Sequence, residues 1–565
     1  MSPKITLPES RKVGHLTLLR DSREISPKEF NQLNSKERLD IVRSVPGRAK
    51  YDLLIEAADA QQLVQSLAPQ EVYALIRDVG EDDVADLVGM VSIDQLATFI
   101  DLDAWRTGDY NGKDALHWLT LLGESGEQRL WEAFNGLDWV LLALLFSQFI
   151  TVTGGLGDLL DEDRLQKGDI DRIYQVDFKD SELAKQIGGY LDIIYRRDRE
   201  GYIGLLEMIR TEAGAELEEL GFQQRNGRLL DQGIPDPEGA LSVYAFIEPT
   251  KFTDEVHVGK VSLYDRVATP VPGNVLVVAA PGGVLAELFS GGVDEDLAWE
   301  LTCLTNKLVV ASQTDFGDPE QLAGAMSEVY SRLELALGFL CGNDLEASQQ
   351  ALGDYYLEHL FRLGHSLVSK LQKKATVLHD EVGRWLDTPY LRVVEGLTAM
   401  RPQVYKGLLD SRTDGLKDFA SYPEVEKVSE VLDDIESQRR LFCDELSFGA
   451  ATIENLDLNG CNYAQTDITF SGVLLTSLSN RLLGREFSLS PLAADELKIL
   501  HAMVSQGEGR LNDKLREETL AWLESMAPGS SVFGGYCLRQ WEEGFCALRA
   551  DEIDARFVPG LLVKL

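Results

Sequence analysis

Between Tyr51 and Ile150 one spacing of apolar residues occurs twice. Leu63, Val64, Leu67, Val72, Leu75 and Ile76 fall onto Leu87, Val88, Val91, Leu96, Phe99 and Ile100, about 24 residues downstream. Within each copy the apolar positions lie three or four apart, interrupted once, at Ala68-Pro69-Gln70 or Ser92-Ile93-Asp94. The spacing predicts a short helix, a tight turn and a second helix, with Pro69 at a first helical position and Ser92 as an N-cap. So small a unit cannot bury its own apolar face, so neighbouring copies must stack. Looser copies flank the pair: Leu39, Val42, Val45 and Pro46 upstream, and Leu119, Leu122, Leu130 and Phe134 downstream. The predicted class is mainly α: stacked helical hairpins in a superhelix, with additional helical subdomains.

A chain of 565 residues is too long for one core. Breaks in the pattern suggest a basic arm and first helix (1–45), the repeats (46–153), a central helical domain (154–345), a further helical domain (346–485) and a C-terminal helical segment (486–565). The net charge of −39 is unevenly placed: residues 1–50 hold eleven Lys or Arg against six Asp or Glu, a net of +5, leaving −39 − 5 = −44 on the rest. So negative a body repels phosphate backbones, which excludes nucleic-acid binding through it. The arm reads as a solvated or self-docked tail. The six cysteines have no metal-ligand spacing and read as reduced thiols. Met1 to Arg20 lacks the apolar core of a signal peptide, and the longest apolar run, Trp139 to Phe146, is too short to span a bilayer. A cytoplasmic location without a membrane span is expected.

Along the chain, Ser26-Pro27-Lys28-Glu29 predicts a capped helix start with Phe30 and Leu33 facing inward. Trp105, Trp118, Trp131 and Trp139 lie beside leucines at helical spacing and read as core. Thr153-Gly154-Gly155-Leu156-Gly157 suggests a boundary. The carboxylates that follow, Asp158, Asp161, Glu162 and Asp163, rule out a phosphate loop there. Helical patterns cover 170–220, 237–247, 297–312, 319–339, 354–375, 378–410, 423–443, 471–484, 491–504 and 510–526. Residues 248–273 read as a connection, and Val275–Val278 as either a strand or a buried helix. A pair recurring every five residues from Asp457 to Val473 imitates a pentapeptide coil. Too few turns occur to close a core, so a loop followed by a helix is expected.

Glu358, Arg362 and His365 share one face of a predicted helix, with His359 beside them, and a carboxylate, a guanidinium and an imidazole together suit acid–base work. The competing reading is a solvated face with helix ion pairs. Asn306 within Thr305-Asn306-Lys307 is expected to face inward, where it either serves a ligand or, as is commoner, is a hydrogen-bonded structural residue.

Ser66-Leu67-Ala68-Pro69-Gln70-Glu71-Val72 and Glu81-Asp82-Asp83-Val84-Ala85-Asp86-Leu87-Val88 resemble the cytosolic N-terminal superhelix of MgtE-type magnesium transporters. Because that domain senses magnesium with acidic side chains, the resemblance implies weak divalent-cation binding at Asp78, Glu81, Asp82, Asp83 and Asp86 as one alternative. Dipole complementation in a first helical turn is the other. Gly233-Ile234-Pro235-Asp236 with Ala240 and Tyr244, Leu304-Thr305-Asn306-Lys307 with Ala311, Leu360-Phe361-Arg362-Leu363-Gly364, and Leu474-Leu475-Thr476 resemble an uncharacterised bacterial family of unknown function, the one numbered 6178. That resemblance implies no known activity and no cofactor. The leading expectation is a non-enzymatic scaffold or regulator that binds another protein, because stacked hairpins create extended binding surfaces. The alternatives are an enzyme centred on Glu358, Arg362 and His365, or a weak cation sensor.

Overall fold

The computed structural model describes residues 5–6, 12–13, 16–17, 24–45, 47–80, 84–105, 108–155, 174–212, 214–256, 259–260, 279–290, 293–342, 344–446, 449–507 and 509–565. Helices dominate, and the described strands are short and pair two by two. The chain divides into two compact units, Met1–Arg362 and Leu363–Leu565.

In the first unit, helices α1 (Pro27–Phe30), α2 (Ser35–Ser44) and α3 (Gly47–Ile55) lead into the repeats. Helices α4 (Ala60–Gln65) and α5 (Pro69–Val79) form one copy, and α6 (Ala85–Met90) and α7 (Ile93–Asp103) the next. All the apolar positions that define the repeat are buried, none more than 4% exposed. Helix α4 packs on α6 and α5 on α7, the like-on-like packing that a stack requires. Helices α8 (Gly112–Gly123), α9 (Glu127–Gly136) and α10 (Trp139–Phe149) continue it.

Each helix leaves its last four carbonyls without intrahelical partners, and side chains from adjacent copies donate to some of the carbonyls at these helix ends. Gln95 closes a capping box with Ser92 while its Nε2 donates to the carbonyls of Val64 and Leu67, both at 2.9 Å. Arg129 on α9 donates to the carbonyls of Gly89 (2.8 Å) and Val91 (2.7 Å). Asn31 donates to Glu56 O and accepts from the Ala58 amide. Each such bond contributes about 1 kcal/mol, and losing a buried one costs more.

Polar groups also enter the core. Asp103 accepts from Tyr73 Oη (2.6 Å), Trp118 Nε1 (2.8 Å) and Arg77 (3.4 Å), joining α5, α7 and α8 around one buried carboxylate. Tyr73, Phe99 and Trp118 pack as tilted rings above it. Asp101, fully buried, receives both Nε and Nη2 of Arg228 at 2.8 Å, fastening helix Gly214–Asp231 to α7. Trp105 and Trp118 are buried in the core as expected, while Trp131 and Trp139 are half-buried and pack against it.

The sequence pattern fails first after α10. Ile150–Gly154 is a strand, antiparallel to Tyr174–Phe178, where a boundary and then helix were expected. Ile150-Thr151-Val152-Thr153 is β-branched and alternates buried with exposed positions, a period-2 signal too short to stand out beside the preceding helix. The expected helix over 354–375 is present as Leu357–Val382, which starts three residues later and runs on past 375, and a separate helix, Leu345–Asp354, precedes it. The expected helix over 378–410 breaks into a helix, Thr388–Thr398, and a hairpin pairing Val404–Tyr405 with Leu416–Lys417. The helix expected over 237–247 stops at Leu241 and tightens into one 3₁₀ turn. The acidic turn at 158–163 and Val275–Val278 lie outside the described residues.

The second unit is built around helix Phe470–Leu482, buried almost throughout and packed on Ser530–Gln540 and Leu497–Val504. A loop precedes it, as expected. Asp387, at the start of Thr388–Thr398, accepts from the amide (3.2 Å) and hydroxyl (2.5 Å) of Ser471 and so caps the central helix from outside. Helices Tyr422–Arg439 and Ser530–Gln540 each run on into a π-helical turn, Arg440–Glu445 and Trp541–Cys546. Phe442 in the first of these stacks flat on Phe470 at 4.2 Å. Among the described residues no single helix is long and apolar enough to cross a membrane; α9 and α10 pass that test only jointly and are bent by 116° at their junction.

Candidate functional site

The turn after helix Gly214–Asp231 organises a connected polar region of the first unit. Gly233 has a φ of 73°, and a Cβ there would stand 2.8 Å from Cys303 Sγ and 3.5 Å from the Trp299 ring, so both conformation and space call for glycine. The carbonyls this turn presents are taken up on two sides: Gln70 of α5 donates to Gln232 O (2.8 Å), and buried Asn306 donates to Gly233 O (3.2 Å). Asn306 is thus the inward-facing structural residue that its setting indicated. Asp236 then caps the next helix, Pro237–Leu241, through the Gly239 amide (2.7 Å).

Helix Glu295–Ala311 carries the facing groups. Lys307 Nζ lies 2.8 Å from Glu358, which also accepts from Ser242 Oγ at 3.4 Å. Glu300 accepts from Lys260 (2.7 Å) and from the Leu357 amide (2.9 Å), placing a carboxylate on the N-terminus of helix Leu357–Val382. Arg362 Nε donates to Ala245 O (3.1 Å), and Tyr244 packs near Phe361. The segments around Gly233, Asn306 and Arg362, far apart in the chain, therefore meet in one place.

Of the polar trio, the structure brings Glu358 and Arg362 to this junction, while His365 falls in the second unit and shares a hydrogen bond with Ser369 Oγ (3.2 Å). The imidazole at the junction is His359. Burial, then the Arg362 charge, lowers its pKa, partly offset by Glu358, so it is neutral at pH 7. Burial, with Glu300 nearby, pushes the Cys303 thiol up to about 12, so it is not a thiolate nucleophile. Glu358, Glu300 and Arg362 have partners within the fold, while His359 Nδ1 is buried with no hydrogen-bond partner among the described residues. Lys307 and Ser242 as partners of Glu358 were missed from sequence, since opposite charges 51 positions apart carry no local signal.

Asp78 and Asp86 are exposed. Asp78 lies against Gly47 at the start of α3, and Asp86 sits in the first turn of α6; Glu81, Asp82 and Asp83 lie outside the described residues. Among the described residues no three His, Cys, Asp or Glu are grouped as metal ligands. An open cleft of about 350 Å³ lies between the start of α8 and the end of α10, lined in part by Asn111, Lys113, Gln148 and Lys179. It contains none of the residues singled out from sequence.

Residues 27–564 match the model of DUF6178, a family of unknown function. The chain belongs to the DUF6178 family. No curated protein and no solved structure matches it. The match takes in both units of this DUF6178 chain, from Pro27 to the C-terminal strand.

Proposed function

We propose that this DUF6178 chain is a non-enzymatic, cytoplasmic helical-repeat scaffold or regulator that binds another protein through its N-terminal stack, and that this stack is akin to the MgtE cytosolic superhelix. One observation carries the reading. The α5/α7 row is covered by the rest of its own unit, through Arg228 on Asp101 and Gln232 on Gln70, whereas α4 and α6 present exposed polar residues such as Gln62 and Asp86. A stack covered along one row and open along the other offers a long surface to a partner. The enzyme alternative is weakened because Glu358 and Arg362 already hold the fold together. The cation-sensor alternative depends on Glu81, Asp82 and Asp83. The division into segments at 45, 153, 345 and 485 belongs to the same reading, and limited proteolysis would locate those limits.

Cross-linking of the intact chain in its native cytoplasm tests the reading. The expected result is one stoichiometric protein cross-linked within residues 46–153 and lost on Gln62→Lys/Asp86→Lys substitution, with the helical signal unchanged. Cross-links confined to residues 346–565, or insensitive to those substitutions, would overturn it.

A further inference from the structure

We propose that residues 558–565 form a detachable strand, and that the groove holding it accepts the same segment from a second copy of the chain. The segment is extended and held along both edges. On one side Leu492 N donates to Leu562 O (2.8 Å), where Val563–Lys564 runs parallel to Leu492–Ala493. On the other, Asn462 N donates to Val563 O (3.0 Å) and Leu565 N to Gly460 O (2.7 Å). Three side chains read the remaining backbone. Asn462 donates Nδ2 to Leu561 O (3.0 Å) and accepts at Oδ1 from Val563 N (2.9 Å). Thr476 Oγ1 accepts from Leu562 N (3.0 Å), and Tyr463 Oη from Gly560 N (3.2 Å). Leu561, Leu562 and Val563 are buried beneath. Domains that add a peptide strand likewise read its main chain by hydrogen bonds; here three successive side chains rather than alternate ones are buried.

The groove is complete without the tail's own surroundings. Its parts, Gly460–Tyr463, Thr476 and Leu492, lie far upstream on the central helix and the loops beside it. The connection, Ala547–Phe557, forms neither helix nor strand, and Arg549–Glu552 within it is exposed. Arg549 bonds Glu552, and Arg556 bonds Asp554, so polar contacts of the connection are made within itself. Identical bonds are available to the strand of a second copy, and reciprocal exchange would give a closed two-fold dimer.

The test uses the full chain with a protease site introduced at Ala550-Asp551. After cleavage, a fluorescent peptide of residues 553–565 should exchange into the groove saturably, and an intact, differently tagged chain should co-elute with the cleaved one. Asn462→Ala should weaken both by about tenfold or more, the loss of two hydrogen bonds. If cleavage unfolds the second unit, refolding with added peptide decides: recovery of helical signal only with peptide supports the proposal, and no recovery overturns it. Uptake of neither peptide nor intact chain, or equal uptake by the Asn462→Ala protein, would also overturn it.

Discussion

Replacing Gly233 with alanine isolates the turn on which the first unit's polar junction depends. Two costs follow from the geometry. Holding a non-glycine residue at a φ of 73° costs about 1–2 kcal/mol. A methyl 2.8 Å from Cys303 Sγ overpacks a site closed behind it by Trp299, at about 1–3 kcal/mol. The sum is about 2–5 kcal/mol. Because a chain of two units need not unfold in one step, the loss is best read locally, as faster hydrogen exchange at 229–247 and 299–311. Adding Cys303→Ala should recover the steric part and leave the conformational part, a coupling of about 1–3 kcal/mol in a double-mutant cycle. Exchange unchanged by Gly233→Ala, or a coupling near zero, would refute the reasoning.

Phe99→Ala should cost about 3–5 kcal/mol, since Phe99 is wholly buried against Tyr73 and Trp118; exchange should quicken over residues 60–105 while helix Phe470–Leu482 stays protected, and equal loss in both would refute a locally coupled stack. Arg228→Met removes both hydrogen bonds to the buried Asp101 carboxylate, leaving only the nearby Arg225 charge, and should cost up to about 3–5 kcal/mol by denaturant melting, with Asp101→Asn added to it giving back part of the loss. Burial, then Asp433 and Glu430, holds the Asp434 carboxyl at about 6, above its ordinary 3.8. The folded chain then binds that proton more tightly than the unfolded one, so this group's contribution to stability is greatest below about pH 4 and falls as pH rises towards 6. Asp434→Asn should flatten that slope and raise the melting temperature at pH 7; a lowered one would contradict it.

The stack was legible because its signal is local and periodic: residues 63–76 and 87–100 carry the same apolar spacing, and every position in it is buried. Caps at Ser26 and Ser92 were legible for the same reason, each being decided within four residues. The strand at Ile150–Gly154 was not, because its partner is supplied by residues 174–178, and pairing across such a gap leaves no mark in either stretch alone. At the junction, the inward orientation of Asn306 agrees with the expectation from sequence. The ion pair of Lys307 with Glu358 depends on how two distant helices meet. Glu358, Arg362 and His365 share helix Leu357–Val382, as their spacing indicated; the partners of Glu358 and Arg362 come from distant segments, while His365 bonds Ser369 on its own helix.

The ion pair of Lys307 with Glu358 is proposed to hold helices Glu295–Ala311 and Leu357–Val382 together within the first unit. The most direct measurement is hydrogen exchange over 299–311 and 357–362 in the charge-swapped set Lys307→Glu, Glu358→Lys and the two combined. Each single swap sets like charges against one another where the native pair lies 2.8 Å apart, in a part-buried setting, and should speed exchange in both segments. The combined swap restores opposite charges and should recover most of the protection. Protection unchanged by either single swap would contradict the claim.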